Sequence, residues 1–211
     1  MKTMTMKFCR LIKLKLLLIN LFLIFSLFSV AQKKGFNSGI LIGVVPSQVD
    51  GDTYSGYHKV GIQTGLFSEF AFNEKISLFV EIKYINKGAK YVSKNNLMYY
   101  KSSLHYVEIP FSLQYSYKNK YLFNAGLAFA YLVFYTENFG AGNVIVAPFF
   151  KKLEFSGFLG IGYKLSDKLI FINRFGYSIL PIRDYALPSI RRFDNGWNNN
   201  IIMLDLFYKF L

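Results

Sequence analysis

The sequence predicts an all-β chain: an eight-stranded antiparallel transmembrane up-and-down β-barrel, preceded by a signal peptide. Three observations predict it. Apolar and polar residues alternate in period two from Phe36 to the C-terminus. Tight polar turns alternate strictly with long connections. Charged residues keep to one face of the strands while the other face stays apolar.

Composition excludes the competing classes. Of 211 residues 53% are apolar and 19% aromatic, and 23 Phe and 16 Tyr against 5 Pro are the reverse of a disordered composition. No stretch after residue 31 approaches the roughly 18 consecutive apolar residues of a membrane helix.

Residues 1–31 read as a secretory signal peptide and 32–211 as the barrel domain. Lys2, Lys7, Arg10, Lys13 and Lys15 form a basic start, Leu16–Val30 is apolar, and Ser29-Val30-Ala31 offers small residues for cleavage before Gln32. Cys9 lies before the apolar run, where a lipid-anchored cysteine would follow it, so the mature chain is expected to hold no thiol. Cleavage would leave 20 Lys and Arg against 12 Asp and Glu, an excess that suits an anionic membrane surface and is too dispersed for nucleic acid.

Strands are expected near 36–45, 60–72, 76–86, 104–117, 121–135, 152–164, 169–180 and 199–210. In the third, Ile76, Leu78, Val80, Ile82 and Tyr84 share one face, and Ser77, Glu81 and Lys83 the other. In the fourth, His105, Val107, Ile109, Phe111, Leu113, Tyr115 and Tyr117 oppose Glu108, Ser112, Gln114 and Ser116. Asn73-Glu74-Lys75, Lys118-Asn119-Lys120 and Ser166-Asp167-Lys168 are the tight turns, and 46–58, 87–103, 136–151 and 181–198 the long connections. Short turns on the periplasmic side and long extracellular loops are the arrangement of a bacterial outer-membrane barrel, and an even strand number returns both chain ends to the periplasm. Pro110, inside the fourth strand, is expected to mark a bulge or a skipped ladder bond.

A soluble lipocalin-like barrel with a ligand inside is the rival architecture. The faces separate the two. Glu69, Glu81, Lys83, Glu108, Glu154, Lys164, Arg174, Asp205 and Lys209 all fall opposite the continuous apolar series. A Lys or Arg facing lipid at mid-bilayer costs about 2–4 kcal/mol, so lipid would select this pattern. Tyr84, Tyr115, Tyr117, Tyr121, Tyr163 and Tyr208 fall near strand ends on the apolar face, where an interfacial aromatic girdle belongs.

An eight-stranded barrel has room only for its own side chains. Gly61, Gly65, Gly126, Ala128, Gly160 and Gly162 leave space for larger neighbours, and Glu69, Glu81, Lys83, Glu108, Glu154, Arg174 and Asp205 are expected to pair into a lumenal charge network, since buried charge needs partners. No catalytic, cofactor or metal site is predicted. A triad of His58, Asp50 and a loop serine can be drawn, with His105 at the rim on the lipid-facing side, but loop Asp, Ser and His are ordinary turn formers. Asp50-Gly51-Asp52 fails the spacing of a calcium loop. The second long connection carries Lys87, Lys90, Lys94 and Lys101 and no acid. The fourth sets Arg183, Arg191 and Arg192 against Asp184 and Asp194 beside Trp197. Such loops suit lipopolysaccharide phosphates or a surface partner.

Three motifs carry a family likeness. Tyr106-Val107-Glu108-Ile109-Pro110, followed by Phe111 and Leu113, resembles the tyrosine–x–glutamate–isoleucine–proline signature of the PorT-like outer-membrane β-barrel family. Lys83-Tyr84-Ile85-Asn86-Lys87-Gly88-Ala89 resembles its strand end before the second long loop, and Gly126-Leu127-Ala128-Phe129-Ala130-Tyr131 its fifth strand. The resemblance implies a small barrel in the outer membrane of a Gram-negative bacterium, inserted by the barrel-insertion machinery and bathed in outer-membrane lipid. It also implies a non-enzymatic role, structural or accessory to surface export or adhesion, with lipopolysaccharide or a secretion or surface protein as partner. The alternative is an outer-membrane enzyme, an acyltransferase or protease, with its site at the loop end.

Overall fold

The computed structural model describes residues 35–93, 99–144, 146–185 and 196–210. The expected signal peptide lies outside the described residues, as do Lys94, Arg191, Arg192 and Asp194. Among the described residues eleven strands follow one another: β1 (Phe36–Asp50), β2 (Lys59–Ala71), β3 (Ile76–Lys87), β4 (Lys90–Val92), β5 (Tyr99–Tyr117), β6 (Tyr121–Asn138), β7 (Asn143–Val144), β8 (Leu153–Lys164), β9 (Leu169–Ser178), β10 (Arg183–Asp184) and β11 (Gly196–Lys209). The eight long ones form a closed ring in the order β1, β2, β3, β5, β6, β8, β9, β11. The ring closes where β11 pairs antiparallel with β1, from Gly39 opposite Lys209 to Asp50 opposite Asn198. Closure removes the free edges that an open sheet would present to lipid.

The polar turns form as their residues require. The Asn73 side chain accepts from the Lys75 and Ile76 N–H groups at 2.9 Å each. Lys118 and Asn119 both adopt positive φ, 51° and 53°, which the sharp β5–β6 reversal demands. At the opposite end the strands run further than the sequence suggests. β5 begins at Tyr99 rather than 104, β6 continues to Asn138 and β1 to Asp50. Short β4, β7 and β10 pair with β5, β6 and β11, so backbone groups that an irregular loop would leave to water join the wall.

Two irregularities set side-chain direction. The β5–β6 register shifts between His105, opposite Phe134, and Tyr106, opposite Leu132, so Val133 is the extra residue of a bulge. Val133 and Phe134 therefore both point outward, and beyond them the inward parity of β6 passes from even to odd numbers. At Pro110 the register to β3 is unchanged on either side, while the pairs that would join Glu81 and Ile82 to Pro110 and Ile109 are skipped. Proline there has no N–H to give the ladder.

The outer face is apolar, with Ile42 63%, Leu159 67% and Ile161 65% exposed. An apolar belt of this extent belongs in hydrocarbon and would be a liability in water, which decides against the lipocalin-like alternative. Tyr115, Tyr117, Tyr121 and Tyr208 stand exposed at the turn end of the belt. Inside, two apolar layers cross the bore. Leu41, Phe67, Phe79, Leu122, Ile170, Ile172 and Phe207 form the layer nearer the turns. A larger layer nearer the loops includes Val45, Ile85, Tyr100, Leu104, Tyr106, Leu132, Phe150 and Ile201.

Candidate functional site

The charged side chains of the wall converge on the lumen. On β3, alternate residues point inward, so Glu81, Lys83 and Lys87 follow one another up the bore, each no more than 3% exposed. β5 supplies Glu108, β8 Glu154, β9 Arg174 and β11 Asp205, all at most 4% exposed. Arg174 holds Glu81 in a two-pronged pair, Nη2 to Oε1 at 2.7 Å and Nη1 to Oε2 at 3.1 Å. Its Nη1 lies 3.8 Å from Asp205, and its guanidinium sits between the Phe158 and Phe207 rings at 5.1 and 5.0 Å. Lys83 lies 3.3 Å from Glu108 and 3.8 Å from Glu81. Lys87 bridges Glu108 at 2.6 Å and Glu154 at 2.9 Å, and Asn199 donates to the second Glu154 oxygen at 2.8 Å. Gln63 donates to Asp205. Glycines make this fit: a Cβ on Gly160 would stand 2.7 Å from Arg174 Cγ, and one on Gly126 2.7 Å from the Phe158 ring.

Six of the seven charged residues singled out in the sequence thus meet in one network. Glu69 does not join it. It sits at the turn end, paired with Lys209 and accepting from Asn37 at 3.0 Å. Lys164 pairs instead with Asp167 at 3.0 Å near the surface. Lys87, read above as the start of a loop, is the last residue of β3, fully buried, and joins the two halves of the network. The parity of β3 carries that signal, since 77, 79, 81, 83, 85 and 87 are all inward. Within the family-like motif, Tyr106 and Glu108 both face the lumen, and Lys87 lies over the Tyr106 ring at 5.1 Å.

A second ion pair closes the loop end. Arg183 of β10 donates to Glu137 at 2.7 Å and to the Val146 carbonyl at 2.6 Å, also bonds the Pro148 carbonyl, and stacks between Phe150 and Trp197 at 4.6 Å each. Tyr100 donates to the same Glu137 oxygen at 3.2 Å. Sequence reasoning placed both residues in loops, because it could not see that the Val133 bulge turns Glu137 inward. In the first connection, Asp52 is 4% exposed and accepts from the Tyr54 N–H at 2.9 Å, while Tyr54 stacks on Tyr91 and Tyr100. Burial raises the Asp52 carboxyl to about 7, with Asp50 adding to the shift and the Tyr54 N–H opposing it.

The residues of the paper triad do not assemble. Asp50 accepts from Gln48 at 2.8 Å and Asn200 at 3.0 Å, and His58 is exposed. His105 does face outward at the rim, bonded to Tyr84 Oη at 2.6 Å and stacked on Phe134 at 4.0 Å. Among the described residues, no three His, Asp or Glu are grouped to hold a metal ion.

Comparison with known proteins agrees with this architecture. The family model for the outer membrane protein beta-barrel domain matches residues 30–184. Neisserial surface protein A shares the fold at a TM-score of 0.55 and 9% identity, over 84% of this chain and 98% of that one. The attachment invasion locus protein Ail of Yersinia pestis aligns at a TM-score of 0.47 and 12% identity, over 84% of this chain and 100% of that one. No curated protein matches the sequence. A closed ring of eight strands with an apolar outer face and a charged lumen, matched by the family model over most of its length, places this chain in the outer membrane protein beta-barrel domain family, as a protein of the Gram-negative outer membrane.

Proposed function

We propose that this protein is a non-enzymatic surface barrel, accessory to export or adhesion at the cell surface as the PorT-like resemblance implies, and that it does not conduct solutes. The observation that carries the reading is the filled bore. An ion-pair network crosses it, from Arg174, Glu81 and Glu108 beside the turn-side apolar layer up to Lys87 within the loop-side one. A narrow barrel packed in this way has its working surface in the long connections and the wall around them. The seven charged residues drawn from the sequence then serve as structure: six plug the lumen and Glu69 ties the turn end. Delivery by a cleaved signal over 1–31 belongs to the same reading, with Gln32 as the mature N-terminus.

Three cell lines test it: wild type, a deletion, and a variant in which residues 139–152 are replaced by a short turn. Surface protein display and adhesion are expected to fall in both altered lines, while the purified barrel shows no single-channel conductance in planar bilayers. Steady conductance, or full display and adhesion in the deletion, would overturn the proposal.

A further inference from the structure

The outer wall beside the loops carries a second feature that the filled lumen does not explain. On β4 and β5, Lys90 stands directly opposite Lys101. Their neighbours Tyr91 and Tyr100 are also paired, and Tyr100 is buried in the lumen, so the two lysines share the outward face. Like charges in directly opposed cross-strand positions repel. Among the described residues neither lysine has an acidic partner, and the nearby Glu137 faces inward, where Arg183 takes it. Below the lysines runs an outward strip of polar and aromatic groups. The Asn86 amide donates to Ser103 Oγ at 3.0 Å and to the Leu104 carbonyl at 3.2 Å, and Lys59, itself 3% exposed and on the inward parity of β2, reaches the Asn86 side chain from within. Tyr84, His105 and Phe134 form the stacked, hydrogen-bonded group next to it. Beneath that strip the exposed apolar belt begins, at Ile82, Val107, Tyr131 and Val133.

An unneutralised lysine pair directly above an aromatic layer, itself directly above hydrocarbon, sits at the level of lipid headgroups. With the long connections outside the cell, that level is the outer leaflet. We propose that this strip binds a phosphate group of the outer-leaflet glycolipid, with Lys90 and Lys101 flanking the phosphate and Tyr84, His105 and Phe134 lying against the sugar and upper acyl region. A phosphate between the lysines converts their repulsion into two charge-assisted contacts. The proposal rests on the barrel's place in the outer membrane and not on a role in export or adhesion, so it stands or falls separately from that reading.

The test uses the mature barrel refolded in detergent, with lipid A bound and counted by native mass spectrometry. Bisphosphorylated lipid A is expected to bind, and enzymatically dephosphorylated lipid A to bind far more weakly. K90Q and K101Q should each weaken binding about fivefold, and together about 25-fold, from the attraction typical of a lysine near an anionic headgroup. K118Q, at the turn end, should leave binding unchanged. Urea unfolding supplies a readout of opposite sign. In neutral phosphatidylcholine vesicles K101Q should be more stable than wild type, because repulsion is relieved, and lipid A should reverse that order. Heat-shifted gel mobility shows that each variant has folded. Equal binding of phosphorylated and dephosphorylated lipid A, or no loss in the double variant, overturns the proposal. So does full stabilisation by millimolar inorganic phosphate alone, which would make this a site for free anions.

Discussion

Replacing Arg174 with methionine removes the cation at the centre of the lumen and leaves its partners in place. Glu81 loses two charge-assisted bonds, at 2.7 and 3.1 Å, and keeps only Lys83 at 3.8 Å. Asp205 loses the guanidinium 3.8 Å away. Breaking one side of a buried pair costs about 3–5 kcal/mol, because the charge left behind can be neither solvated nor neutralised without penalty. Charge counting then predicts an asymmetry. The network sets Glu81, Glu108, Glu154 and Asp205 against Lys83, Lys87 and Arg174, four acids to three bases. Losing a base widens the imbalance, whereas losing an acid closes it.

Asp205→Asn keeps the shape and a group that can accept from Gln63, and brings the count to three and three. Its expected cost is below about 1 kcal/mol, the ordinary net worth of one hydrogen bond. Arg174→Met combined with Glu81→Gln should recover about 2 kcal/mol of the single-variant loss, as coupled partners do. Urea unfolding in lipid vesicles measures all three variants against wild type, with the single tryptophan, Trp197, as fluorescent reporter and gel mobility as a second probe. If Asp205→Asn costs as much as Arg174→Met, or the double variant is no better than the single, the charge-count reasoning is wrong.

Three further outcomes follow from the same geometry. Gly160→Ala should cost about 1–3 kcal/mol by pushing a methyl group against Arg174 Cγ, 2.7 Å away. Gly157→Ala, whose nearest contact is 3.6 Å, should stay within about 0.5 kcal/mol; urea midpoints compare the two. Arg183→Met should release the 139–152 connection, with about 3 kcal/mol of local stability lost and much faster tryptic cleavage at Lys151 and Lys152 on intact cells. Asp52, raised to about 7 when folded from an ordinary 3.8, binds its proton more tightly in the closed loop than in the open one. Its loop is therefore held best below about pH 4 and loosens as pH rises towards 7. Exchange of the Tyr54 amide, corrected for its intrinsic rate, should be slower at pH 5 than at pH 8, and Asp52→Asn should abolish the difference.

The strands and the inward acids were legible because each depends on local parity. Glu81 and Lys83 lie two residues apart on one face, and no distant element is needed to say so. Partner choice was not legible. Arg174 meets Glu81 across 93 positions of sequence, and the Lys87 bridge to Glu154 spans 67, so only the closed ring brings them together. Strand ends were misjudged where short β4, β7 and β10 extend the wall, because their pairing is fixed by neighbours and not by composition.

Glu137 shows where parity itself stops being a local property. Counted from Leu122, Asn124 and Leu132, all inward, an odd residue on the same strand should face out. One extra residue, Val133, reverses the count, and Glu137 arrives opposite Arg183 instead of beside lipid. The same bulge sets Phe134 outward against His105, which in turn bonds Tyr84. A single backbone irregularity therefore positions both the ion pair that closes the loop end from inside and the aromatic group that faces the outer leaflet. Deleting Val133 should close the bulge without changing any face beyond it: the ladder becomes regular, Phe134 still meets His105 and Glu137 still turns inward to Arg183, so both features are expected to survive the deletion.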